Sequence, residues 1–280
     1  MIKADMHIHS TVSDGSYTME EIVKMAEERG LDAIAITDHD TLSHAAKLPK
    51  SEKIKVIAGI EISAYDYEKD YRVHILGYGI KHPDIVEKVV HPTLEARHAN
   101  SMRQIEILNE NGYAIDRERM PKADGTYIYK QHIMDWLVSQ GKVKEMFGEF
   151  YYSTFKNNGI CHFDIEYLNP VVAVKAIKEA GGYAVLAHSG QQQNFELIPQ
   201  LVQAGLDGLE LNHHANSEKD KEIIRKYAEQ YGLFLTGGSD CHGSWRGTTT
   251  GPTASAVTSP LSPWRAGSAP CSGRIAGFPS

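Results

Sequence analysis

The chain has 280 residues, of which 41% are hydrophobic and 23% charged, enough to bury one sizeable core. Its formal net charge of −7 supplies no large basic footprint, which argues against a long nucleic-acid partner. There is no apolar run of about 18 residues to span a membrane, the start MIKADMHIHS lacks the apolar core of a secretion signal, and Cys161, Cys241 and Cys271 form no CxxC pair, so a reducing cytosol is the expected compartment.

In chain order, the first strand ends in His7 and His9, with Ala4, Met6 and Ile8 on one face and Asp5, His7 and His9 on the other at period two. Thr18 and Glu21 form a capping box that opens a helix. Its apolar stripe is Met19, Ile22, Val23 and Ala26, and Gly30 stops it. The run DAIAIT reads as a buried strand ending in Asp38, His39 and Asp40. KVIAGIEIS carries Glu61, and YRVHILGYG carries His74. Asn169 and Pro170 open a helix that Gly181 and Gly182 close. YAVLAHSG leads to His188, and DGLELN is a further strand. Ser217 and Asp220 open a helix running to Gly232, and LFLTGGSDCHG ends in Asp240 and His242. Seven strands, most followed by helices, predict an α/β fold with a parallel sheet or closed barrel over residues 1–82 and 164–243.

Two stretches break this rhythm. Residues 83–163 are polar and helical with no strong strand, which predicts a helical subdomain inserted after the fourth strand and acting as a lid. After Gly243, residues 244–280 contain no Asp, Glu or Lys and show neither helical nor strand period. Such a tail reads either as a low-complexity linker or as the product of a shifted reading frame from about Ser244.

The chemistry-bearing residues share one position. His7, His9, His39, Glu61, His74, His188, Asp240 and His242 lie at or near the C-terminal ends of predicted strands, and Asp14 lies in the first such loop. In parallel α/β barrels the loops at that end converge on one cleft. Each residue has a plainer role when taken alone: a hydrogen-bonded core histidine for His74 or His188, a buried ion-pair partner for Glu61, a turn residue for Asp14 before Gly15. All those plain roles would have to hold at once. Six imidazoles and three carboxylates meeting in a desolvated mouth are costly to bury unpaired, and metal ions solve that problem. Imidazole with carboxylate and no thiolate suits Zn²⁺, Mn²⁺ or Fe²⁺. Nine such groups exceed the needs of one ion and suit two or three.

The pieces DMHIHSTVSDG, ITDHD, GIEIS, HILGY, LAHSG and GGSDCHG, in this order, resemble the PHP (polymerase and histidinol phosphatase) superfamily of metal-dependent phosphoesterases. The resemblance implies a distorted (β/α)₇ barrel with a trinuclear site at the strand ends. It implies a first metal held by His7, His9, Glu61 and Asp240. Glu61 would bridge to a second, held also by His74 and His188, and Asp14, His39 and His242 would hold a third. Within the superfamily the likeness is greatest to enzymes that remove phosphate from small nucleotides, AMP or nucleoside 3′,5′-bisphosphates. Their insertion usually carries Gly-Arg-Pro-His, where this chain has Tyr129, Lys130, Gln131 and His132. Lysine lacks the bidentate fork of arginine, so substrate preference is expected to differ. In LELNHHANS, Asn216 stands where a histidine is common, and the altered tail replaces the family's last helix and closing segment.

The expected reaction is hydrolysis of a phosphomonoester by a metal-bridging water held by Glu61 and the metals, deprotonated near neutral pH. Such esters are among the slowest to hydrolyse in water, with enzymatic accelerations up to about 10²¹. Arg97, Arg103, Lys130 and His132 are candidates to grip phosphate or ribose; for Arg97 and Arg103 a solvated helix face is the alternative. His213 and His214 read as surface histidines rather than rim acids. The rival readings are a 5′-3′ exonuclease on short oligonucleotides, a histidinol-phosphate phosphatase, a non-catalytic metal-binding PHP module and a metal-dependent amidohydrolase, for which no strand-end lysine is evident. The partner is a small phosphorylated substrate, with no membrane and no obligate protein partner.

Overall fold

The computed structural model describes residues 2–120, 127–243, 245 and 255–257. Strand β1 (Ile2–Ile8) leads to helix α1 (Met19–Glu28), then β2 (Ala33–Ile36), β3 (Lys55–Asp66) and β4 (Tyr71–Tyr78). Helices α2 (Pro83–Glu110), α3 (Lys130–Ser139), α4 (Glu149–Phe155) and α5 (Pro170–Glu179) follow. Then come β5 (Tyr183–Leu186), α6 (Ser189–Gln192), α7 (Ile198–Ala204), β6 (Gly208–Asn212), α8 (Glu218–Tyr231), β7 (Phe234–Gly237) and β8 (Ser255–Val257).

The sheet order is β7-β6-β5-β4-β3-β2-β1-β8. The seven strands β1 to β7 curl into a nearly closed barrel. The segment after β7 returns to β1, where Asp240 N donates to His7 O and His9 N to Cys241 O, both at 2.9 Å. Chain ends distant in sequence thus become neighbours at the rim that carries the histidines.

One strand departs from the parallel expectation. β4 runs antiparallel to both β3 and β5. Only residues 67–70 separate β3 from β4, and a parallel crossover needs about a dozen residues or more, whereas an antiparallel return needs as few as two. His74 therefore lies in the first half of β4 rather than at its C-terminal end. The reversal still delivers it to the same rim, opposite Ser63 of β3.

A second departure is in β1. Met6 packs with the barrel residues Ala35, Leu76 and Val185, while Ile8 packs with Ile22 and Val23 of α1. The β1–β2 register shifts between Asp5 and Ile8, and such an irregularity re-aims side chains that strict alternation would place on one face.

Helix α1 forms as its sequence predicts. Thr18 caps it, with the reciprocal Glu21 bond, and Met19, Ile22, Val23 and Ala26 are buried. Each of the larger side chains contributes roughly 1.5–3 kcal/mol by leaving water. Helix α2 joins two cores. Val86 and Val90 pack with the barrel cluster that includes Ile60, Ile62 and Ile177. Ile105 and Leu108 pack with Ile133, Trp136, Leu137, Phe155 and Trp245 in a separate cluster. The second cluster fastens α3 and α4 over the rim. From residue 244 onward only Trp245 and β8 fall within the described residues; β8 pairs antiparallel with β1, Ile2 opposite Val257, an eighth strand that the composition of the tail does not announce. The two readings of that tail otherwise lie outside the described residues. No described helix is long and apolar enough to cross a membrane.

Candidate metal centre

Glu61 is the hub of the rim. β3 alternates Ile60, Glu61, Ile62, so both isoleucines pack outward against helices and the carboxylate turns to the barrel mouth, 1% exposed. Glu61 Oε2 lies 3.1 Å from both His7 Nε2 and His9 Nε2 and 3.3 Å from His39 Nδ1. Its Oε1 lies 2.7 Å from His74 Nδ1 and 3.0 Å from His188 Nε2. Asp240 Oδ1 stands 3.4 Å from His7 Nε2 and 3.2 Å from His9 Nε2. Asp14 Oδ1 is 3.4 Å from His242 Nε2 and 3.7 Å from His9 Nδ1.

All nine residues singled out in the sequence meet here. They form three overlapping groups: His7, His9, Glu61 and Asp240; Glu61, His74 and His188; and His9, Asp14, His39 and His242. Local bonds hold Asp14 and His242 in place. Asp38 accepts from Ser10 N at 2.8 Å, Ser10 Oγ at 2.7 Å and Ser13 Oγ at 2.7 Å, which fixes the loop before Asp14. Gln131 Nε2 donates to Asp14 Oδ2 at 2.7 Å, and Trp245 Nε1 to its carbonyl at 3.1 Å. His242 Nδ1 bonds the Asp240 carbonyl at 2.9 Å, leaving Nε2 toward Asp14. His188 and Asp240 both have left-handed backbone, φ 24° and 53°, strain of the kind that collects at functional sites.

Electrostatics explain what the cluster demands. Burial disfavours charge on Glu61, Asp14 and Asp240, yet the surrounding imidazoles outweigh it and hold all three well below the usual carboxylate range. Burial likewise opposes a proton on His9, but Asp240 and Glu61 carry it up to about 10. For His39 burial prevails and pushes it down to about 3. Three ionised carboxylates in a dry pocket call for positive charge. Meanwhile His7 Nε2, both ring nitrogens of His9, His39 Nδ1 and Asp240 Oδ1 are buried without a hydrogen bond. Unpartnered nitrogen and carboxylate oxygen converging within 4.8 Å are what divalent cations require, so the residues fit a metal centre.

A family model for the PHP domain matches residues 5–244. The chain belongs to the PHP domain family. It is 42% identical over 247 residues to a phosphoribosyl 1,2-cyclic phosphate 1,2-diphosphodiesterase of Eggerthella lenta, covering 86% of this chain and 94% of the relative. It is 30% identical over 268 residues to a 3′,5′-nucleoside bisphosphate phosphatase of Chromobacterium violaceum, covering 88% and 90%. A structure described as a metal-dependent phosphoesterase of Bifidobacterium adolescentis superposes with a TM-score of 0.80 at 27% identity, over 90% of this chain and 92% of the other. This PHP chain is a metal-dependent phosphoesterase.

The predicted substrate contacts divide. A cavity of about 220 Å³ opens beside Asp14, His39 and His74, and Arg97 and Lys130 line it. Arg97 is not on a solvated face. Its Nη2 donates to Asp40 Oδ2 at 2.8 Å and Ser63 Oγ at 2.9 Å. Burial opposes its charge, but Asp40 more than compensates and raises its pKa. Arg103 lies outside the cavity, exposed, with its guanidinium 4.3 Å from the centre of the Phe163 ring. His132 is buried, and its Nδ1 accepts from Tyr129 N at 3.0 Å at the start of α3, so its role in the structure is to shape the Lys130 turn. Asn216 bonds the carbonyls of Glu210 and Leu211 and accepts from Gly190 N, stitching the end of β6 to α6.

Several site residues escaped the sequence. Arg72 and Lys156 line the cavity with Lys130. His213, expected at the surface, is 4% exposed, with Nε2 3.4 Å from Asp240 Oδ2, while His214 is exposed as expected. Glu210 is buried against His7. Only Glu210 carried a local signal, a lone carboxylate inside the apolar run GLEL, the same signature that marked Glu61.

Proposed function

We propose that this PHP centre hydrolyses a phosphoester of a small ribose phosphate carrying two phosphate groups. One phosphate meets the carboxylate–imidazole cluster and the other the cationic wall beside it. The observation that carries this reading is the cavity itself: Arg72, Arg97, Lys130, Lys156 and Asp164 line the same cavity as Asp14, His39 and His74. Burial and the like charge of Lys156 push Lys130 down to about 8. A cation destabilised by its neighbours is one that a bound dianion would stabilise. The two relatives agree with this, since each name describes a ribose derivative with two phosphates. AMP, with one phosphate, fits less well than the 3′,5′-bisphosphate, and the 42% identity favours the phosphoribosyl cyclic phosphate over both.

The residues that would hold the cations are His7, His9, Glu61 and Asp240; Glu61 with His74 and His188; and Asp14, His39 and His242. Two or three Zn²⁺, Mn²⁺ or Fe²⁺ suit these donors. Bound divalent cations supply Lewis acidity toward phosphoryl oxygen and acidify water near neutral pH. The chain's own part is to orient and exclude. Glu61 gathers His7, His9, His39, His74 and His188 around its carboxylate at the barrel mouth. Lys130, Arg72 and Lys156 fix the remote phosphate, so that binding energy is used to align the reacting phosphorus. Helices α3 and α4 shield that side from water.

The test is a substrate panel with purified, Mn²⁺-loaded protein: phosphoribosyl 1,2-cyclic phosphate, adenosine 3′,5′-bisphosphate, AMP, histidinol phosphate and a short RNA. The expected order of kcat/KM places the two compounds with two phosphates first. Equal efficiency on AMP, or shortening of RNA without turnover of the small compounds, refutes the reading.

A further inference from the structure

Glu210 takes no part in the three candidate cation groups that suffice for the chemistry, yet it is as buried as Glu61, 1% exposed. β6 places Leu209 and Leu211 in the outer apolar cluster and sends Glu210 to the opposite, interior face. Its two oxygens are used differently. Oε1 lies 3.1 Å from His7 Nδ1. Oε2 accepts from the main-chain N–H of His188 at 2.8 Å. A buried carboxylate is an acceptor only, so His7 Nδ1 must carry the proton facing it. That leaves the lone pair on His7 Nε2, the atom directed at Glu61 and Asp240 and without a hydrogen bond of its own. The second bond secures His188, whose backbone sits at φ 24° and ψ 53°. A histidine rarely adopts that conformation unless its surroundings impose it.

We infer that Glu210 is a positioning residue which sets two cation ligands at once: it fixes the tautomer of His7 and the backbone pose of His188. One carboxylate thereby couples the first candidate group to the second. The inference rests on the metal dependence of the chain and not on the identity of its substrate. It also explains why the convergence of His7, Glu210 and His213 is no fourth cation site. His213 Nδ1 accepts from Ala215 N at 3.1 Å, so its proton sits on Nε2, facing Asp240 Oδ2. Both Glu210 oxygens are already engaged by N–H donors.

The test uses Glu210→Gln. An amide offers one acceptor oxygen where two N–H donors need one each, so one of the two bonds must be lost. The measurement is cation occupancy by elemental analysis after dialysis against graded chelator, with no substrate present. Loss of an outer partner of a histidine ligand typically weakens metal affinity about 10–100-fold. We expect a shift of that size for the ions nearest His7 and His188, with the ion nearest Asp14, His39 and His242 retained longer. Activity lost in the variant should return at high Mn²⁺ with an unchanged KM. Retention within about twofold of wild type overturns the inference. A second measurement needs no variant: nitrogen NMR of the Zn²⁺-loaded wild-type protein should show the His7 proton on Nδ1, and a proton on Nε2 overturns the inference whether or not Glu210→Gln folds.

Discussion

Lys130 offers the most direct check on how the cavity works. It is the first residue of α3 and lines the cavity with Arg72 and Lys156. Burial first, and then the like charge of Lys156, lowers its pKa to about 8. The ammonium is therefore present below pH 8 and lost as pH rises through that value. A charge-assisted bond to a phosphate is worth roughly 1.5–3 kcal/mol, or about 10–150-fold in affinity. Wild-type kcat/KM on a substrate with two phosphates should accordingly fall above pH 8, levelling once that factor is spent. Lys130→Met should raise KM by the same factor at pH 7 and erase the alkaline limb. Lys130→Arg keeps its charge beyond pH 12 and should move the limb out of range. Stability should run the other way. Unfolded Lys130 keeps its proton to the ordinary value near 10.5, so between about 8 and 10.5 the unfolded state binds more protons and the folded state gains with rising pH. Steady-state kinetics from pH 6.5 to 10 on the three proteins, with urea melts at the same pH values, decide the matter. An unchanged KM and an intact alkaline limb in Lys130→Met would refute the assignment of this lysine to phosphate.

Three further outcomes follow from the geometry. A Cβ at Gly238 would fall 2.7 Å from His7 N and 2.9 Å from His7 Cα; Gly238→Ala should push β1 away from Asp240 by about 1 Å, against a tolerance of about 0.5 Å for preorganised sites, and lower kcat/KM by about 100-fold while the secondary structure by circular dichroism persists. Arg97→Met should leave Asp40 buried and unpaired, costing about 3–5 kcal/mol in urea denaturation, and Arg97→Met with Asp40→Asn should recover part of that loss; equal stability of the single and double variants would count against a structural role for Arg97. Exhaustive chelation should abolish turnover and lower Tm, because cations that bind only the folded chain stabilise it by about 4 kcal/mol at 1,000 times their Kd; activity that survives in demonstrably metal-free protein would contradict the metal centre.

The candidate centre was legible because strand periodicity and chemistry coincide there. His7 and His9 are two residues apart at a strand end, Asp240 and His242 repeat the spacing, and the closing bonds from Asp240 N to His7 O and from His9 N to Cys241 O set the two pairs side by side. Period two says which way such side chains turn, and a shared rim says that they meet. Where only one of those signals was present, the reading was incomplete. Glu210 had the alternation of Glu61, but its partner His7 lies 203 residues away. The reversal of β4 was written in the four-residue link between Asp66 and Tyr71, a length that forbids a crossover.

The cationic wall shows a different limit. Arg72 comes from a strand, Lys130 from a helix start and Lys156 from the residue after α4, so no local window contains their pattern. Arg97 and Arg103 were separable in principle. Six positions on one helix are about 240° apart around its axis at 3.6 residues per turn, so both could not face one cavity, and the sequence alone could not say which did. What decides it is Asp40. Its left-handed backbone, φ 56°, and its bond from Ser63 N fix a buried carboxylate within reach of α2, and Arg97 is the arginine of the pair that bonds it. The same ITDHD segment that delivers His39 to the cluster thus also docks the long helix whose far end begins the second core. A change in either charge should be felt both in stability and in the placement of the roof that carries Lys130.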